Sequence, residues 1–197
     1  MSKSLRNKLL ALQQRDFALR AELKADGTLF DGYHPRMETM HRDNAKQLRE
    51  LIEHFGWPNE HLAGRDGAEA AWLIAQHAIS EPEFMRTCRE LLEKEVAVGV
   101  VPMWQYAYMD DRIRVFEGKP QRFGTQFELT PDGPTLYQVE EPQSLDERRR
   151  EAGLGLIAER LKGMRNEPRP TPSEFEAKKE GEMKWRLKVG WNAPSDA

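Results

Sequence analysis

The chain has 197 residues, 39% of them hydrophobic and 32% charged, with five Trp and eight Phe, enough apolar bulk for one good core and a small appendage. Its formal net charge of −3 argues against nonspecific nucleic-acid or anionic-membrane binding as the main task, and no run approaches the roughly 18 apolar residues that span a bilayer. The opening MSKSLRNKLLALQQRDF lacks the apolar segment of a signal peptide, and the single cysteine, Cys88, has no disulfide or CxxC partner, so a soluble cytoplasmic protein is expected.

Leu5, Leu9, Leu12, Leu19 and Leu23 fall at mostly helical spacings over residues 3–24, and Ala25-Asp26-Gly27 stops the pattern, predicting a first amphipathic helix. A second helix follows from His34, Met37, His41, Asn44, Leu48, Leu51, Ile52 and Phe55, and ends at Gly56-Trp57-Pro58. His41 and Asn44 share its inward stripe. The run AEAAWLIAQHA at 68–78 is apolar on nearly every side, so a third helix over 66–78 belongs in the middle of the protein, with Gln76 and His77 buried near its end. Ser80-Glu81-Pro82-Glu83 opens a fourth helix that runs to about Val98 and stops at Gly99. Cys88 lies in register with Phe84, Leu91 and Leu92 and reads as core.

From Val100 the period changes. PMWQYAYMDDR reads either as a short helix opened by Pro102 or as the start of a strand. Ile113–Phe116 and Phe123–Leu129, separated by EGKPQR, predict a β-hairpin over about 112–129, with Pro131-Asp132-Gly133-Pro134 as a loop beyond it. Ser144, with Glu147 three residues on, predicts a capped helix over LDERRREAG, in which Arg148 to Arg150 form a solvated face. Residues 165–182 are proline-rich and charged and read as linker. Met183, Trp185, Leu187, Val189 and Trp191 then alternate with Lys184, Arg186, Lys188 and Gly190, predicting a strand in the segment 183–197. That strand would join the hairpin's edge or pair with a second copy of the chain, giving a homo-oligomer.

None of the motifs GxxxxGK[ST], GxGxxG, HExxH or GxSxG is present, so chemistry must be read from polar residues set in apolar surroundings. Burying an amide and an imidazole without partners costs about 1–3 kcal/mol each, so Gln76-His77 calls for a satisfied internal network or a ligand. In the catalytic reading His77 is a general acid or base whose tautomer is fixed by a carboxylate such as Asp111, and His41 is a second proton-transfer group. Asn44, Gln76, Gln126 and Thr125 then orient the substrate while Arg112 grips its anionic group. In the alternative reading these residues form a structural network and the C-terminal strand recruits a partner. A metal reading would combine two of His34, His41 and His77 with one Asp in an open three-ligand site, but no cofactor or metal is expected: His34 and His41 stand seven residues apart, about 10.5 Å along a regular helix and too far to share one ion.

The blocks GWP at 56–58, AW…QHA at 71–78, YAYMDDR at 106–112, QRFGTQ at 121–126 and DERRREAGL at 146–154 resemble a bacterial family defined only as a domain of unknown function. In that family GWP, QH, AYxxDR and YGTQ recur in this order. The resemblance covers approximately residues 34–162, and it departs at Ile79-Ser80, where the family often carries an acid, and at Phe123, where it has Tyr. It implies that the polar blocks form one site and brings no known reaction. The expected molecule is thus a mainly α domain over residues 1–164, built around a buried central helix with a small antiparallel hairpin. It is expected to be a small enzyme, a metal-independent hydrolase or transferase acting on a polar or anionic small molecule.

Overall fold

The computed structural model describes residues 2–29 and 32–191. Among them are eight α-helices and one two-stranded antiparallel sheet, the mainly helical class that the periodicities predict. The chain forms two compact units, Met1–Val101 and Pro102–Ala197, where one domain over 1–164 is expected from sequence.

In the first unit, α1 (Lys3–Ala25), α2 (Pro35–Phe55) and α4 (Pro82–Ala97) all pack on α3 (Glu60–His77). Composition is the cause. Helix α3 buries Ala63, Gly67, Ala70, Ala71 and Ala75, positions small enough for a neighbouring backbone to approach. A Cβ added at Gly67 would lie 3.5 Å from the Cα of Arg6 on α1. The helix is broken at Gly64, whose φ of 72° is left-handed and suits glycine, and the predicted central run follows that break. The three helices packed on it bury Leu5, Leu9 and Leu12 of α1, Leu48 and Leu51 of α2, and Phe84, Met85, Cys88 and Leu92 of α4, while Leu23, Leu29, Met37 and Met40 form a buried cluster with Leu19 and Tyr33 packed against it. His34, placed by sequence in the core stripe, instead caps α2, its Nδ1 accepting from the Arg36 N–H at 3.2 Å.

In the second unit, α5 (Met103–Phe116) runs straight through Ile113–Phe116, which the alternation assigns to a hairpin strand. The hairpin lies further on. β1 (Phe127–Thr130) pairs antiparallel with β2 (Gly133–Leu136), Phe127 opposite Leu136 and Thr130 opposite Gly133. Pro131-Asp132 is therefore the hairpin turn itself and not a loop beyond it, as proline and aspartate favour. A 3-10 turn at Pro142–Ser144 leads into α6 (Leu145–Glu151) and α7 (Ile157–Gly163). The Ser144 side chain makes no cap hydrogen bond.

Residues 172–182 of the predicted linker and 183–189 of the predicted strand are one helix, α8 (Pro172–Val189). Thr171 and Glu174 form a reciprocal capping box with Pro172 at the first helical position, and the Lys, Glu, Met, Arg and Leu that follow favour the helix they begin. Glu182, Trp185, Arg186 and Val189 are half-buried at helical spacing, and the rings of Trp185 and Trp191 stand 6.0 and 5.0 Å from that of Phe116. Residues 183–189 thus offer no strand edge to a second copy, and residues 192–197 lie outside the described residues. Among the described residues no helix is long and apolar enough to cross a membrane.

Candidate functional site

The buried stripe of α1 contains an acid. Between Leu12 and Leu23 the inward position is taken by Asp16, which is 0% exposed, and a carboxylate there needs partners to remain charged. His77, in the last turn of α3, places Nδ1 2.6 Å from Asp16 Oδ2. His41, from the inward stripe of α2, places Nε2 3.1 Å from the same oxygen. Burial alone pushes the Asp16 carboxyl up, but the hydrogen bonds and charges of His41 and His77 outweigh it and hold the group well below the usual carboxylate range.

The network continues outward. His41 Nδ1 lies 2.7 Å from the hydroxyl of Tyr33, whose phenol is pushed up by burial. Tyr33, His41, Asp16 and His77 thus form one connected chain, with the two imidazole centroids 5.0 Å apart and tilted by 44°. Asp16 Oδ1 has no hydrogen-bond donor among the described residues. Asp16 and His41 are buried, whereas 24% of the His77 side chain is exposed and Tyr33 is half-buried, so the network meets solvent at its two ends. Asn44 serves the frame: its Nδ2 donates to the Leu12 carbonyl at 3.3 Å and lies 3.1 Å from Met40 Sδ, tying α2 to α1. Gln76 is buried on α3 beside His77.

The other predicted site residues belong to the second unit, and there the polar blocks hold one another. Asp111 Oδ1 accepts the backbone N–H groups of Arg122 at 2.7 Å and Phe123 at 3.0 Å, and Oδ2 accepts the N–H and the hydroxyl of Thr125, both at 2.9 Å. Gln126 Nε2 donates to the Thr125 hydroxyl at 3.0 Å. Gln121 Nε2 donates to the carbonyls of Gln126 and Tyr137 while its Oε1 accepts the Gln126 N–H. Arg149 is buried and donates to the carbonyls of Phe123, Gly124 and Gly155, and Arg148 donates to that of Arg122. These two arginines close a clasp on the 121–126 loop in place of the solvated face expected of them. Gly124 sits at the centre with φ of 62°. Arg112, on α5, is half-buried, and desolvation brings its guanidinium down to about 10, still a cation at neutral pH.

The eight residues expected in one pocket therefore divide between the units: His41, Asn44, Gln76 and His77 in the first, Asp111, Arg112, Thr125 and Gln126 in the second. The carboxylate on His77 is Asp16 and not Asp111, whose oxygens are engaged by the 122–125 backbone. Sequence reasoning missed Asp16 and Tyr33. The signal for Asp16 was its position, four residues after Leu12, where an acid continues the leucine stripe; Tyr33 carries no comparable mark.

No curated protein and no solved structure matches the chain. A family model does, over residues 3–167, which takes in the whole Asp16 cluster and the Asp111 clasp and leaves out α8. The chain belongs to that family, described as a family of unknown function (DUF6624).

Proposed function

We propose that this protein is a small bacterial enzyme, a hydrolase or transferase that moves protons on a polar or anionic small molecule, with His77 as the acid or base. The observation that carries this reading is the 2.6 Å contact between His77 Nδ1 and the fully buried Asp16. A carboxylate on Nδ1 fixes the tautomer, orients the ring and stabilises the imidazolium that forms when Nε2 takes a proton. His41 and Tyr33 hold Asp16 from the other side, so the carboxylate keeps its place as charge on His77 changes. A purely structural core would fill the α1 stripe more cheaply with a leucine, since burying an ion pair rarely beats a hydrophobic replacement of similar volume. A single buried cysteine suits a reducing compartment, and we place the enzyme in the cytoplasm.

The test is a panel of phosphate, carboxylate-ester, amide and glycoside substrates, read first with the wild type and then with His77→Gln and Asp16→Asn. Both variants should stay helical by circular dichroism and lose roughly 10²- to 10⁴-fold in turnover, the span that general acid–base catalysis supplies. Full turnover by a folded His77→Gln protein overturns the assignment. Wild-type inactivity across the panel, with both variants strongly destabilised, favours the noncatalytic network.

A further inference from the structure

We infer that Asp16, His41 and His77 form a three-ligand site for a divalent transition-metal ion of the zinc type. One donor atom from each residue, a carboxylate oxygen and two imidazole nitrogens, lies within 4.8 Å of the others. Zinc bound by nitrogen and oxygen at about 2.0–2.1 Å sets its tetrahedral ligands about 3.3 Å apart. The two nitrogens stand 2.6 and 3.1 Å from Asp16 Oδ2, so the triad admits the ion if His77 backs away by about 0.7 Å and His41 by about 0.2 Å. The donors differ from the pair that the sequence rules out: His34 caps α2, and His41 finds its partner on α3.

Three features besides convergence point to an ion. First, His41 is already held from behind, its Nδ1 on the Tyr33 hydroxyl at 2.7 Å. A metal-bound histidine usually carries such an outer partner on its second nitrogen, and a hydroxyl can accept from Nδ1–H as readily as donate to Nδ1, leaving the Nε2 lone pair for the ion. Second, Asp16 Oδ1 is buried with no hydrogen-bond donor among the described residues, an acceptor that the apolar stripe of α1 leaves unused. Third, the charge fits, since one carboxylate and two neutral imidazoles carry −1 and a dication leaves the site at +1. Two nitrogen donors select zinc, nickel, cobalt or iron over magnesium and calcium, which prefer oxygen. Three protein ligands with a partly exposed member, His77, are the pattern of a site that keeps a position open to water or substrate. The inference goes beyond the proton-transfer reading and does not rest on it, because ion and proton compete for the same His77 Nδ1.

The test uses the full chain, stripped with a chelator and dialysed. Zinc chloride is titrated in by calorimetry and in competition with a chromophoric chelator, and cobalt chloride is added separately to read coordination from its visible bands. One equivalent of zinc should bind, with tetrahedral or five-coordinate cobalt bands. Asp16→Asn and His77→Gln should each weaken zinc at least 10-fold, and the exposed pair His54→Gln and His61→Gln together should not weaken it. If a variant unfolds, the wild type still decides: zinc should raise its melting temperature, and cobalt should show imidazole ligation. Binding weaker than about 100 μM overturns the site, as does zinc lost with His54 and His61 or retained by both triad variants. Failure of zinc to bind leaves the proton-transfer reading standing. Zinc binding lost together with unaltered turnover in His77→Gln sinks that reading and keeps this one.

Discussion

Replacing Asp111 with asparagine separates a structural carboxylate from a chemical one. The carboxylate takes four donors: the N–H of Arg122 on Oδ1, the N–H of Phe123 shared between Oδ1 at 3.0 Å and Oδ2 at 3.2 Å, and the N–H and hydroxyl of Thr125 on Oδ2. An asparagine keeps one oxygen and puts an NH₂ where the other was. With the NH₂ at the Oδ2 position the Thr125 hydroxyl can turn to accept, but the Thr125 N–H meets another donor. That orphaned buried N–H costs about 1–3 kcal/mol. The two bonds that remain on Oδ1 change from a charged to a neutral acceptor, a loss of about 1 kcal/mol each. The opposite flip orphans the Arg122 N–H on Oδ1 while the Phe123 N–H keeps Oδ2 at 3.2 Å, at a comparable cost. The expected destabilisation is about 3–5 kcal/mol, a large share of the 5–15 kcal/mol typical of a folded domain. Urea unfolding followed by tryptophan fluorescence measures it, with the slope on denaturant compared between variant and wild type. A loss under about 1 kcal/mol at unchanged slope would mean that the 121–126 loop does not depend on Asp111, and the clasp described above would be wrong.

Gly124→Ala should cost about 1–3 kcal/mol in the same assay, because φ is 62° there and an added Cβ would lie 3.3 Å from both δ-methyls of Leu145; wild-type stability in the alanine variant would refute the strain. Asp16 shapes the acid limb of stability in metal-free protein. Its folded carboxyl is held below the ordinary value, so its contribution is full above about pH 4 and is lost as pH falls toward the folded value. Melting temperatures from pH 7 to 3 should therefore drop more steeply for the wild type than for Asp16→Asn, and parallel curves would rule out the coupling.

The helices of the first unit could be read from sequence because each buries an apolar stripe at helical period. The same register exposed His41 and Asn44 as polar members of a buried face, and both are buried. Asp16 escaped because the step from Leu12 to Leu19 passes for a skipped turn unless the acid at its midpoint is counted as part of the stripe. The second unit was harder for a different reason. Alternation over the four residues Ile113–Phe116 fits a strand or a helix equally, whereas the nine-residue alternation from Met183 to Trp191 reads as a strand and is overridden by the helix that the Thr171–Glu174 capping box starts. Helix α8 did carry a local signal, Thr171 and Glu174 flanking Pro172 and Ser173, set in a stretch whose prolines suggested linker. Asp111, Thr125 and Gln126 look alike in sequence whether they meet a substrate or their own backbone. Their partners are backbone groups 11 to 14 residues along the chain for Asp111, which no spacing rule announces.

The Asp16 cluster draws one side chain from each of three helices, and Asp16 and His77 are 61 residues apart in the chain. An unfolded chain cannot hold these groups together, so an occupant of the cluster binds the native state alone. Its free energy of binding is then added to the stability of the first unit, about 2.7 kcal/mol at a concentration one hundred times its dissociation constant. The unit therefore works as its own detector. A rise in melting temperature across a library of metabolites and ions reports an occupant without any assumption about the reaction, and its disappearance in Asp16→Asn assigns that occupant to this cluster.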